Sequence, residues 1–165
     1  REPPMLLGAR LVGATLREVI AGSTTSGQTS DDHFGASIIL GGQIKGGNPT
    51  IFMISPEGNF IDITEDTPFV QIGETKYGKP ILVRAYDHQM DFDDAIKLLL
   101  VSFDSTVKSN LSVGLPFDLQ VYENESFDTG RTKRINEEDE VYQTIATGWG
   151  NALRDAFQLL PSYKL

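Results

Sequence analysis

Between residues 34 and 63 the apolar segments follow one another so closely that only one strand arrangement can join them. Phe34 to Gly42 reads as a buried strand, and Gly46-Gly47-Asn48-Pro49 turns the chain. Thr50 to Ser55 is a second strand, Pro56-Glu57-Gly58-Asn59 a tight turn, and Phe60 to Ile63 a third strand. Parallel neighbours need a crossover of roughly a dozen residues or more. Nothing that long is available here, so the segment must be an antiparallel meander.

The flanking sequence switches to helical spacing. Leu7, Leu11, Val12, Leu16, Val19 and Ile20 predict an amphipathic helix over 5–21, ended by Gly22 and followed by a polar loop over 23–30. Phe69-Val70-Gln71-Ile72 predicts a short strand running into Gly73. A helix is expected from about Glu74 to Ala85, with a break or late start near Pro80. Asp91 is a good N-cap for a helix carrying Phe92, Ala95, Ile96, Leu99, Phe103 and Val107, closed by Ser109-Asn110. Strands are expected at Phe117–Glu123 and Arg131–Ile135, paired across Asp128-Thr129-Gly130. The acidic run over 137–140 suits the positive end of a last helix, expected to bury Tyr142, Ile145, Trp149, Leu153, Ala156 and Leu160. Meanders separated by paired helices indicate an α+β layered domain, one domain over residues 1–165.

Bulk properties remove several function classes. The chain has no cysteine, which excludes a disulfide framework, a thiol nucleophile and a thiolate metal site, and fits a reducing cytoplasm. The formal charge is −9 and the 14 basic residues are scattered, so a nucleic-acid surface is not expected. No apolar run approaches the ~20 residues of a membrane helix. The first residue is Arg1 rather than Met and no charged-then-apolar leader follows, as expected of a processed or truncated product without a signal peptide.

Motif chemistry is thin. Gly73-Glu74-Thr75-Lys76-Tyr77-Gly78-Lys79 fits the outline of a phosphate loop, yet Pro80 stands where Ser or Thr must hold magnesium. A strand-to-helix corner with two turn glycines explains it better. His33 and His88 lack spaced partners, and Asp91, Asp93 and Asp94 lack the glycine and distal Glu of a calcium loop, so no metal or cofactor is expected. No G-x-S-x-G elbow occurs.

Longer stretches are more specific. Ile39-Leu40-Gly41-Gly42 with Thr50 to Phe60, then Phe69 to Glu74, Leu98 to Ser105 and Ser109 to Gly114, resemble in order the C-terminal part of proteasome-type β-subunits. Gly73 to Leu82, Lys108 to Pro116 and the Trp149-bearing tail resemble the bacterial branch called Anbu, the ancestral β-subunit type. The resemblance runs over nearly the whole chain from Leu7.

The resemblance implies an N-terminal-nucleophile hydrolase fold, an αββα sandwich of antiparallel sheets between helix layers, here without its first strands. It also implies ring-like or helical homo-oligomers acting on peptide or amide substrates. In that family the mature chain begins with Thr, whose hydroxyl attacks an amide carbonyl while its own α-amine takes the proton. The Thr and its Lys and Asp partners lie upstream of the region matched, so no catalytic residue is expected within these 165. Supporting residues carry over by position. Glu74 stands where the family has a serine at the start of its third helix. Ser112 matches a serine near the nucleophile, and Ser109 stands where an aspartate is expected. These departures keep a second function open, a non-catalytic assembly or scaffold subunit on the same fold. Simpler roles are open too: helix capping and turn bonding for the serines, and a first-turn carboxylate on a helix dipole for Glu74.

Overall fold

The computed structural model describes residues 3–24 and 35–164, which fall into two compact units. The first comprises residues up to Gly73 together with Tyr122–Thr129; the second comprises Glu74–Val121 and the chain from Gly130 onward.

In the first unit, helix α1 (Pro4–Thr24) faces a three-stranded sheet of β1 (Ile38–Gly42), β2 (Thr50–Ile54) and β3 (Phe60–Asp62). The sheet order is β1-β2-β3 and every pairing is antiparallel, with Leu40 opposite Phe52 and Ile54 opposite Phe60. The expected meander is therefore present. Alternation along β2 sends Phe52 and Ile54 inward, where they meet Ala9 and Leu16 of α1 in the core. Phe60 closes that core edge-on to Phe52, with ring centroids 5.6 Å apart. At Gly58, φ is +81°, as the β2–β3 turn requires. The same glycine lies against Gly13: a Cβ on Gly13 would sit 2.4 Å from the Gly58 oxygen. Helix and turn thus touch backbone to backbone.

Helix α1 runs through Gly22 to Thr24, beyond the predicted stop, because one interior glycine costs only about 1 kcal/mol relative to alanine. The start of the predicted first strand, Phe34, and the loop over 25–30 lie outside the described residues.

The loop over 122–129 is organised by one side chain. Gln43 accepts from the Tyr122 hydroxyl at 3.1 Å and the Glu125 amide at 2.7 Å, and donates to Asn124 Oδ1 and the Gly47 carbonyl. Glu125 and Phe127 are held at φ of 62° and 50°. Such angles are disfavoured for residues with a Cβ, and they persist where surrounding contacts impose them.

In the second unit, α2 (Lys79–Ala85), α3 (Phe92–Val107) and α4 (Glu140–Gln158) accompany an antiparallel pair, β4 (Phe117–Val121) and β5 (Arg131–Ile135). The predicted cap is present: Asp91 accepts from the Asp94 amide at 2.8 Å. Asp139 caps α4 in the same way, accepting from the Tyr142 amide at 2.9 Å, and pairs with Lys133 at 2.7 Å. Leu100, Ile135 and Tyr142 form the core, with Phe117 edge-on to Tyr142.

Two expectations need correction. Residues 69–72 form no strand: apolar, β-favouring side chains make one only when a neighbouring strand completes the ladder. Helix α2 begins at Lys79, the late start expected near Pro80, since proline fits a first turn but not a helix interior. In α4, Tyr142 is buried and Ile145 and Trp149 are half-buried, whereas Leu153 and Ala156, and Leu160 just beyond the helix end, are exposed. Their periodicity describes an apolar stripe, and from Asn151 onward nothing among the described residues covers it.

Candidate functional site

The sequence around Gly73 makes a corner before it makes a helix. Gly73 has φ of +76°, a left-handed angle that glycine adopts without strain. The next side chain folds back over its own loop, so that Glu74 Oε1 accepts from the Lys76 amide at 3.0 Å. That amide is the main cause holding the Glu74 carboxyl below the usual carboxylate range. Partial burial opposes it, while the Asn110 side chain and the Lys76 charge lower it further. Glu74 therefore lies ahead of α2 and is not a first-turn carboxylate.

Gly78, by contrast, is no turn glycine. Its φ of −89° suits any residue, but a Cβ there would meet Ser102 Oγ at 2.3 Å and the Ser102 carbonyl at 3.0 Å. Glycine is needed because α2 starts directly against α3.

That contact sets the start of α2 beside the face of α3 that leads to its exit. There Ser109 and Asn110 donate their amides to the Thr106 carbonyl at 3.0 and 2.9 Å. The closure places the Asn110 side chain, half-buried, facing Glu74: Nδ2 donates to Glu74 Oε2 at 3.1 Å. On its other side, Asn110 Oδ1 accepts from both the amide and the hydroxyl of Ser112, at 2.9 and 2.7 Å. The amide orientation is forced. A main-chain N–H only donates and a carboxylate only accepts, so oxygen must face Ser112 and nitrogen must face Glu74.

Two of the three candidate residues are thus joined, Glu74 and Ser112, through a residue not singled out in the sequence. Ser109 is exposed and takes no part in this chain of bonds. The signal for Asn110 was its place in Ser109-Asn110-Leu111-Ser112, where an asparagine side chain readily bonds the main chain two residues on. Its bond to Glu74 spans a separation that no local pattern encodes.

The phosphate-loop outline resolves into this corner. The Lys76 amide serves the Glu74 carboxylate and the Lys79 amide serves the Thr75 carbonyl, so these donors are already engaged. Among the described residues no three His, Cys, Asp or Glu converge as metal ligands, and no helix is long and apolar enough to cross a membrane. His33 lies outside the described residues, and His88 is exposed beside Asp87. Elsewhere in this unit an apolar groove of about 470 Å³ runs among α2, α3 and α4, lined by Ile81, Leu98, Val101, Ile145 and Trp149. The Trp149 Nε1 is buried without a hydrogen-bond partner among the described residues.

Known proteins match most of the chain. Residues 14–120 match the family model described as proteasome subunit. The chain is 45% identical to the solved Anbu (ancestral beta-subunit) from Yersinia bercovieri, with a TM-score of 0.87 over 98% of this chain and 66% of that one. It is 49% identical to Anbu from Hyphomicrobium sp. strain MC1, with a TM-score of 0.87 over 99% of this chain and 66% of that one. It is 43% identical to the protein in the helical assembly of the Anbu complex from Pseudomonas aeruginosa, with a TM-score of 0.88 over 98% and 67%. No curated protein matches. The chain spans about two thirds of the length of these solved relatives.

Proposed function

The chain belongs to the proteasome-subunit family, in its ancestral β-subunit (Anbu) branch, and has the α+β N-terminal-nucleophile hydrolase fold; from this we propose that it is a subunit of a self-assembling threonine peptidase or amide hydrolase. What carries the proposal is the likeness of the whole chain to Anbu structures. Further support is that Glu74 and Ser112, the positions that resemblance assigns to the supporting residues, are joined through Asn110.

In the proposed reaction the hydroxyl oxygen of an N-terminal Thr bonds to the substrate carbonyl carbon. The α-amine of the same Thr receives the hydroxyl proton and passes it to the leaving amine as the C–N bond breaks. Water then cleaves the resulting ester by the reverse proton path. The Thr with its Lys and Asp partners would come from sequence preceding these 165 residues, and Ser112 would lie close to the Thr amine. The partners are further copies of the same subunit, in a ring-like or helical assembly, and the substrates are peptides or small amides.

The test is the intact mass and N-terminal residue of the protein expressed from its full coding sequence, followed by reaction with a peptide epoxyketone. A chain beginning with Thr that takes up one equivalent supports the hydrolase. A chain with Thr first that takes up none refutes it and leaves the scaffold role on the same fold.

A further inference from the structure

Resting on the place just given to Ser112, we propose that Asn110 is a positioning residue coupling the Glu74 carboxylate to the Ser112 hydroxyl, so that the negative charge Ser109 does not supply reaches the site from Glu74.

The directionality of the bonds carries the argument. Ser112 Oγ donates its one proton to Asn110 Oδ1, so toward any further partner it presents lone pairs alone. Such an oxygen accepts from an amine or ammonium and has nothing to donate to a carbonyl. Asn110 in turn gives Nδ2–H to a carboxylate oxygen. A charged acceptor polarises the amide, which raises the accepting power of Oδ1 and, through it, of Ser112 Oγ. The group that benefits is one that carries positive charge during the reaction. In the proposed chemistry that is the α-amine of the nucleophile, which holds a proton between its release by the hydroxyl and its delivery to the leaving group. Glu74 keeps its charge throughout and exchanges no proton.

The surrounding charges do not cancel the effect. Lys76 lies near Glu74 but meets it mainly through its main-chain amide, and Lys108 at the end of α3 is engaged by Asp104 at 2.8 Å. The Lys76 amide holds the Glu74 carboxyl below the usual carboxylate range, so its charge is present across the neutral pH region.

The experiment measures the rate of epoxyketone labelling against pH on protein from the full coding sequence. Glu74→Gln keeps the side chain's size, removes the charge and leaves one acceptor oxygen for the two donors, Lys76 N–H and Asn110 Nδ2; it should move the midpoint of the profile down by on the order of half a pH unit. Asn110→Ala should give the same shift, and the two together should add nothing more. Ser109→Asp introduced beside Glu74→Gln should bring the midpoint back, which a general loss of structure would not do. If the parent labels and folded Glu74→Gln keeps the parent midpoint, the coupling is overturned while the hydrolase assignment stands. If the parent begins with Thr and never labels, the assignment itself fails, and the coupling with it.

Discussion

Replacing Gly78 with alanine tests how tightly α2 is set against α3. The added carbon would lie 2.3 Å from Ser102 Oγ, 3.0 Å from the Ser102 carbonyl and 3.1 Å from Thr106 Oγ1. The first distance is about 1 Å inside ordinary contact, and both serine and threonine are buried. Overfilling a packed site commonly costs about 1–3 kcal/mol, and three simultaneous obstacles place Gly78→Ala at about 2–3 kcal/mol. The worst obstacle is a side-chain atom, so Ser102→Ala in the same chain should recover about 1–2 kcal/mol, leaving the carbonyl and the threonine still too close. Urea unfolding at matched subunit concentration would read this as a shift in midpoint at unchanged slope. A cost below about 0.5 kcal/mol, or strictly additive single and double variants, would refute the reasoning that Ser102 Oγ is what glycine makes room for.

Other outcomes follow from the remaining elements. Removing the α4 cap with Asp139→Ala should lower the unfolding midpoint. The bond from Lys133, then that from the Tyr142 amide, depresses the Asp139 pKa, so its stabilising effect is present above the ordinary aspartate range and fades as pH falls through the lowered value. The gap between parent and variant should therefore close in acid; a gap independent of pH would argue against the charge. Gln43→Ala removes four hydrogen bonds, three of them to the strained loop, so it should cost about 1–3 kcal/mol and speed amide exchange over 122–129; unchanged exchange there would show that the loop holds itself. Trp149 is only half-buried, so Trp149→Ala should cost about 2 kcal/mol, short of the 3–5 of a full core position, and a urea midpoint unchanged from the parent would place it outside the groove packing.

Sequence was most informative where the cause of structure is local. The cap at Asp91, the meander over 38–62 and the pairing of 117–121 with 131–135 each depend on residues within one turn or one hairpin of each other, and each is present. It was least informative where the cause is a neighbour. Val70 and Ile72 have strand-forming side chains but no strand paired with them among the described residues. The outer half of α4 has the right spacing for a core but nothing among the described residues to bury it. Gly73 and Gly78 look alike in the sequence, yet the first answers to a backbone angle and the second to a side chain of α3. In the candidate site, Glu74 and Ser112 were legible by position, and what joins them was not.

The contact between Gly13 and Gly58 has a genetic consequence that the one at Gly78 lacks. A Cβ on Gly13 meets the Gly58 oxygen, and a Cβ on Gly58 meets the Gly13 oxygen at 2.6 Å. Both obstacles are main chain, which every amino acid carries. A damaging change at Gly78 can have a suppressor, because trimming Ser102 gives back some room. No trimming elsewhere gives back room at Gly13 or Gly58. In a search for second-site revertants, lesions at these two codons should return only as true revertants.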